Sequence, residues 1–339
     1  MSNIKLGITL YSFTKEYVRE ELSLEDCIRK CAELGVDGYE IVATQMISSY
    51  PYISDDFLTK IKGYEYKYGV KPISYGANTD RGKLHDRDLN DSELINDTIR
   101  DIRNAHNLGC KVVRAQYLLS PENLLRIAPY AEEYGVKVGI EIHNPETPST
   151  PIMQRYFEVI EKSGSKYIGF VPDFGCFATR PNIESYEGAL KDGADKNVLD
   201  YAVSLKRKNV PLQEAEKLLR EISADPVVMN SFYSMYGYLT FYNEPDLEGL
   251  KKILPYCFHF HGKFHCITED GKELSIPYKD ILTTIYNSDY SGYIVSEYEG
   301  HNNQERGLVD YDSVEAVRLH LKMERNILEE LEKNNLAGR

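Results

Sequence analysis

A chain of 339 residues with 53 acidic against 40 basic side chains carries a formal net charge of −13 at pH 7. That excess works against binding a nucleic-acid backbone, which depends on Lys and Arg neutralising phosphates. No run approaches the roughly 18 to 20 consecutive apolar residues of a membrane span, so neither nucleic acid nor membrane is expected as a partner.

The N-terminus MSNIKLGITLYSF enters a strand-like pattern without a signal peptide's layout, and the six cysteines include no CxxC pair. A cytoplasmic location with reduced thiols is the expectation. Ser23-Leu-Glu-Asp26 then reads as a capping box opening a helix whose one face carries Leu24, Cys27, Ile28, Cys31 and Leu34. Gly35 stands where a left-handed helix C-cap belongs and is followed by the β-like run VDGYEIV. The same phrase recurs at Gly69 before VKPISY, Gly109 before CKVVRA, Gly135 before VKVGIE and Gly164 before SKYIGF. Helix and strand therefore alternate.

Strand ends fall near Leu10, Val42, Tyr75, Ala115, Glu141, Asp173, His261 and Glu297. Eight ends is the count of a closed (β/α)8 TIM barrel, which can reach this length as one domain spanning residues 1–339. The stretch from Asp173 to His261 is roughly 50 residues longer than an ordinary βα unit, which places an insertion after strand 6, at about residues 181–245. It holds a helix at Leu212 to Ile222 and six aromatics: Phe232, Tyr233, Tyr236, Tyr238, Phe241 and Tyr242. Because it leaves the barrel on the face that carries active sites, a lid or a partner-docking surface is expected, against the plainer reading of a helical hairpin packed outside. A final helix from Asp312 to about Asn335 closes the chain.

Four of the apolar runs, VKVGIE, YIGFVPD, CFHFH and YIVSE, end on Glu141, Asp173, His261 and Glu297. Three carboxylates converging on one point repel unless a cation lies between them, and burial raises that cost. Oxygen-rich ligation with one imidazole suits a divalent ion, Mn²⁺ first, with Mg²⁺, Co²⁺ or Zn²⁺ as alternatives. His143 shares a side with Glu141 if the strand persists, which makes it a general acid or base at the metal's edge rather than a ligand. His259 lies one layer deeper than His261, as core or support. Lys263 and His301 are placed to bind substrate oxygens, Arg114 to balance charge, and Glu299 to face inward beside Glu297.

Together GIEIHN (139–144), FVPDFG (170–175), FHFHGKF (258–264) and SGYIVSEYEGH (291–301) resemble the xylose-isomerase-like barrels of sugar isomerases, epimerases and dehydratases. That resemblance implies a metal, usually Mn²⁺, held by Glu141, Asp173, His261 and Glu297. It puts Cys176 on the substrate side, where ketose epimerases carry a substrate-binding histidine; the change of residue counts against a plain ketohexose epimerase. The EIHN and SEYEGH motifs and the aromatic insertion look more like the catalytic α subunits of bacterial C-glycoside deglycosidases, which act with a small β subunit. The implied chemistry is metal-dependent: His143 or Glu297 removes a proton beside the carbonyl of a 3-keto-C-glycoside, and the aglycone leaves. An isomerase, epimerase or dehydratase would use the same enediolate, an epimerase with Glu141 and Glu297 as opposed bases. A barrel that only binds a sugar or a subunit is the third reading.

Overall fold

In the computed structural model, which describes residues 3–116, 119–222 and 225–337, eight strands alternate with helices. They are β1 (Asn3–Thr9), β2 (Gly38–Val42), β3 (Lys71–Ala77), β4 (Val112–Ala115), β5 (Lys137–Ile142), β6 (Ile168–Pro172), β7 (Phe260–Phe264) and β8 (Ser291–Tyr298). All pair in parallel in the order β6-β5-β4-β3-β2-β1-β8-β7. Parallel bridges Phe170–Cys257 and Asp173–His261 bring the two ends of this sheet together. The protein is a (β/α)8 barrel. Every residue of β2, β4, β6 and β7 is buried, as strands covered by helices outside and packed side chains inside must be.

The local signals act as read. Ser23 and Asp26 form the reciprocal cap of helix Leu24–Glu33, whose Cys27, Ile28 and Cys31 are buried. Gly69 and Gly109 end their helices in the left-handed region, at φ 71° and 84°, a conformation that costs glycine nothing.

One strand boundary differs. The run CFHFH was expected to end on His261, yet β7 begins at Phe260, so His261 is its second residue. Strands in a barrel tilt and stagger against their neighbours. Here β7 takes its register from β8, where Lys263 pairs with Glu297, while His261 stays level with Asp173 just beyond β6.

Among its described residues the insertion folds into four helices, Glu187–Lys191, Lys196–Arg207, Leu212–Ile222 and Pro226–Tyr236. They enclose a second apolar core that includes Leu199, Leu205, Leu219, Met229 and Phe232 and is separate from the barrel's core. The aromatic run divides between the two cores and the surface. Phe232 and Tyr236 serve the insertion's own core and Phe241 packs into the barrel's, whereas Tyr238 is 62 % exposed. The aromatics are in large part packing. Polar contacts tie the unit to the loops after β5 and β6. Arg207 donates to the carbonyl of Thr179 (2.6 Å), and the Tyr242 hydroxyl donates to that of Pro145 (2.5 Å).

Candidate metal centre

Glu141 sits near the end of β5, Asp173 caps the 3-10 turn Phe174–Phe177, His261 lies on β7 and Glu297 near the end of β8. One ligand atom from each falls within 4.8 Å of all the others, and all four residues are buried. The His261 Nδ1 is 3.0 Å from Glu141 Oε1 and 3.2 Å from Glu297 Oε2. His261 Nδ1, Asp173 Oδ2 and Glu297 Oε2 are sealed from solvent without an aligned hydrogen bond. Lys263 Nζ comes to 2.6 Å of that Asp173 oxygen as an ion pair, outside hydrogen-bonding alignment. Unbonded buried donor atoms are costly, and three carboxylates with one imidazole form an oxygen-rich set that fits a divalent cation. The cluster can hold a metal.

Its electrostatics are those of a tight ion-pair knot. Burial disfavours a charged His261, but Glu297 and Glu40 outweigh burial and hold its pKa well above the usual imidazole value. Burial would likewise raise Glu297, yet His261 and Lys263 drive it well below the carboxylate range. Asp173 is pushed up to about 6, by burial first, with Lys263 opposing and Glu297 adding to it. Arg114 reaches 3.6 Å from Glu141 and, despite burial, stays charged beside Glu141 and Glu40. It balances charge, as expected.

His143 lies at the rim with its side chain 29 % exposed, Nε2 3.9 Å from Asp173 Oδ2. Its Nδ1 is 2.9 Å from the Asn144 carbonyl, an acceptor, which assigns the ring proton to Nδ1 and leaves a lone pair on Nε2. Lys263 Nζ, 2.7 Å away, occupies that lone pair. Lys263 also lies 3.1 Å from Glu299, so it links the two carboxylates to the imidazole. Its close passage needs Gly175, where a Cβ would stand 2.9 Å from the lysine chain. His259 is buried against the Ser74 hydroxyl at 3.1 Å, a supporting role. His301 stacks edge-on to Tyr11 (5.2 Å), with both ring nitrogens buried and free of hydrogen bonds.

Cys176 does not belong with these. It is fully buried in the barrel's apolar core, and burial pushes its thiol far up. Five residues in and around the site escaped the sequence reading. Glu40, inside β2, contacts the far nitrogen of His261 at 3.1 Å; its signal was a lone acid in the otherwise apolar GYEIV. Tyr11 follows β1, its phenol pushed up by burial, Glu299 and Glu297. His265, after β7, pairs with Glu184 of the insertion at 3.2 Å, and Asn303 donates to that carboxylate at 2.8 Å. Nothing in the local sequence pairs residues so far apart.

The model of the xylose isomerase-like TIM barrel family matches residues 28–193. Over 310 residues the chain is 33 % identical to the 3'-dehydrocarminate deglycosidase alpha subunit of Microbacterium sp, covering 87 % of this chain and 88 % of that protein. It is 31 % identical over 340 residues to a C-glycoside deglycosidase alpha subunit of Arthrobacter globiformis, covering 97 % and 94 %. Among solved structures, an L-ribulose 3-epimerase superposes with a TM-score of 0.58 at 13 % identity, covering 99 % of this chain and 98 % of that one; this likeness speaks to the fold alone.

Proposed function

The chain belongs to the xylose isomerase-like TIM barrels and, within them, to the family of C-glycoside deglycosidase α subunits, and on that premise we propose that it cleaves the C-glycosidic bond of 3-keto-C-glycosides. The observation that carries the proposal is the His143 Nε2 lone pair beside the ring of Glu141, Asp173, His261 and Glu297. A divalent ion held by those four, Mn²⁺ first, would supply the positive charge that acidifies a carbon next to a carbonyl.

His143 Nε2 takes the proton from C2 of the 3-keto sugar, and the Asn144 carbonyl holds the resulting imidazolium through Nδ1. The electron pair of the C2–H bond becomes the C1–C2 double bond as the bond from C1 to the aglycone carbon breaks. That carbon takes the proton back from the His143 imidazolium, so a 1,2-unsaturated 3-keto sugar and the free aglycone form without water and the base is regenerated. Lys263 holds the lone pair in the substrate-free site and turns to the substrate's developing oxyanion when the base is needed. His301 and Glu299 face substrate hydroxyls. Relatives named as alpha subunits support assembly with a small β subunit.

The test is incubation of the purified chain, alone and with any small subunit that copurifies, with Mn²⁺ and 3-keto-C-glucosides, 3-keto-O-glucosides or free ketoses. Mass and chromatography should show aglycone release from the C-glucosides; inverted ketoses without release would replace this reading with an epimerase. Glu141→Gln and Glu297→Gln should each lose most bound metal and turnover. Wild-type metal content and rate in both variants would overturn the ligand assignment.

A further inference from the structure

Glu40 lies in the middle of β2, fully buried inside the barrel, where a carboxylate persists only with partners. It has them on several strands. Thr9 of β1 donates to Oε1 at 3.2 Å and Ser74 of β3 donates to Oε2 at 2.9 Å. His259 Nε2 lies 3.1 Å from the Ser74 oxygen and 3.5 Å from Glu40 itself. The remaining approach is His261 Nε2, at 3.1 Å from Oε1.

The two nitrogens of the His261 ring thus face opposite ways. Nδ1 looks at Glu141 and Glu297, at 3.0 and 3.2 Å, while Nε2 looks at Glu40. An ionised carboxylate can only accept, so Glu40 keeps the proton on Nε2, and the proton a cation would displace is the one on Nδ1, the atom that faces the ligand cluster. Glu40 stands on the opposite side of the ring from Glu141 and Glu297. Its own position is held by hydroxyls on the flanking strands, so rotation of the ring would break its hydrogen bond to a carboxylate that is itself fixed.

We propose that Glu40 is the positioning residue of the metal centre, fixing the tautomer and orientation of His261 so that Nδ1 is a ready ligand, with Thr9, Ser74 and His259 as the cradle of its carboxylate. This rests on the reading of Glu141, Asp173, His261 and Glu297 as a metal site. Carboxylates behind ligating histidines typically contribute about 10- to 100-fold to metal affinity.

The experiment measures the Mn²⁺ dissociation constant of the whole chain by chelator competition, and the His261 tautomer by ¹⁵N shifts in the metal-free protein on the alkaline side of the ring's titration. Glu40→Gln keeps the side chain's shape and removes its charge. Its constant should rise about 10- to 100-fold, with the circular dichroism of the metal-free protein unchanged and the Nε2–H tautomer no longer dominant. Wild-type protein that binds no ion sinks the metal-centre reading itself. Wild-type binding with an unchanged constant and tautomer in Glu40→Gln overturns the role of Glu40 alone. Should that variant fail to fold, Glu40→Asp retains the charge but withdraws it from Nε2; a several-fold weaker constant supports the proposal and an unchanged one overturns it.

Discussion

At the scale of residues, His143 separates proton transfer from metal binding. Its Nδ1 is tied to the Asn144 carbonyl and its Nε2 to Lys263, with no approach to the ligand cluster closer than 3.9 Å. His143→Ala should therefore lose about 10² to 10⁴ in rate, the usual contribution of a general base, and keep its Mn²⁺ by elemental analysis. Loss of the ion in that variant would make His143 a ligand instead. Glu141, Asp173, His261 and Glu297 were legible because each closes a largely apolar run, and a charge in that position needs a partner. Glu40 was not, since GYEIV continues for two apolar residues beyond it and its partner stands 221 residues away. Position 176 was carried over from a histidine in other barrels, and no local pattern betrays that a cysteine there turns into the core.

At the scale of elements, glycine caps and capping boxes marked the βα units, and the length anomaly marked the insertion. The stagger that sets β7 against β8 is a property of the closed barrel and has no local signature, which is why the end of that strand was misplaced. Equally invisible was the latch joining the insertion to the loops after β7 and β8. Burial alone would lower the His265 pKa, but Glu184, with Glu299 and Glu273 also facing it, raises it to about 9. A histidine held above its unfolded value contributes stability that is full below about pH 6.5 and is lost as pH climbs toward the folded value. Glu184→Gln should thus cost on the order of 1–3 kcal/mol near pH 7. It should also flatten the decline of the melting temperature between about pH 6.5 and 9. A variant that melts with the wild-type slope across that window would show that the pair holds nothing together.

For the whole molecule, the separate cores of barrel and insertion allow one to fail without the other. The ligand strands belong to the barrel, whereas the insertion rests against the rim through Tyr242 on Pro145 and Glu184 on His265. Asn144, next to His143, also donates to the carbonyl of Thr240 at 3.5 Å. The Thr240 end of the insertion thus borders the proposed base. Phe232 is fully buried in the insertion's core. Phe232→Ala should cost about 3–5 kcal/mol, more than a small helical unit of this size can spare. Limited proteolysis should then cut within residues 181–245 while the barrel still binds Mn²⁺ with wild-type affinity, and turnover of 3-keto-C-glycosides should fall. If the cut protein works at the wild-type rate and binds any copurifying subunit as before, the insertion neither shelters the aglycone nor docks a partner, and its helices serve only their own fold.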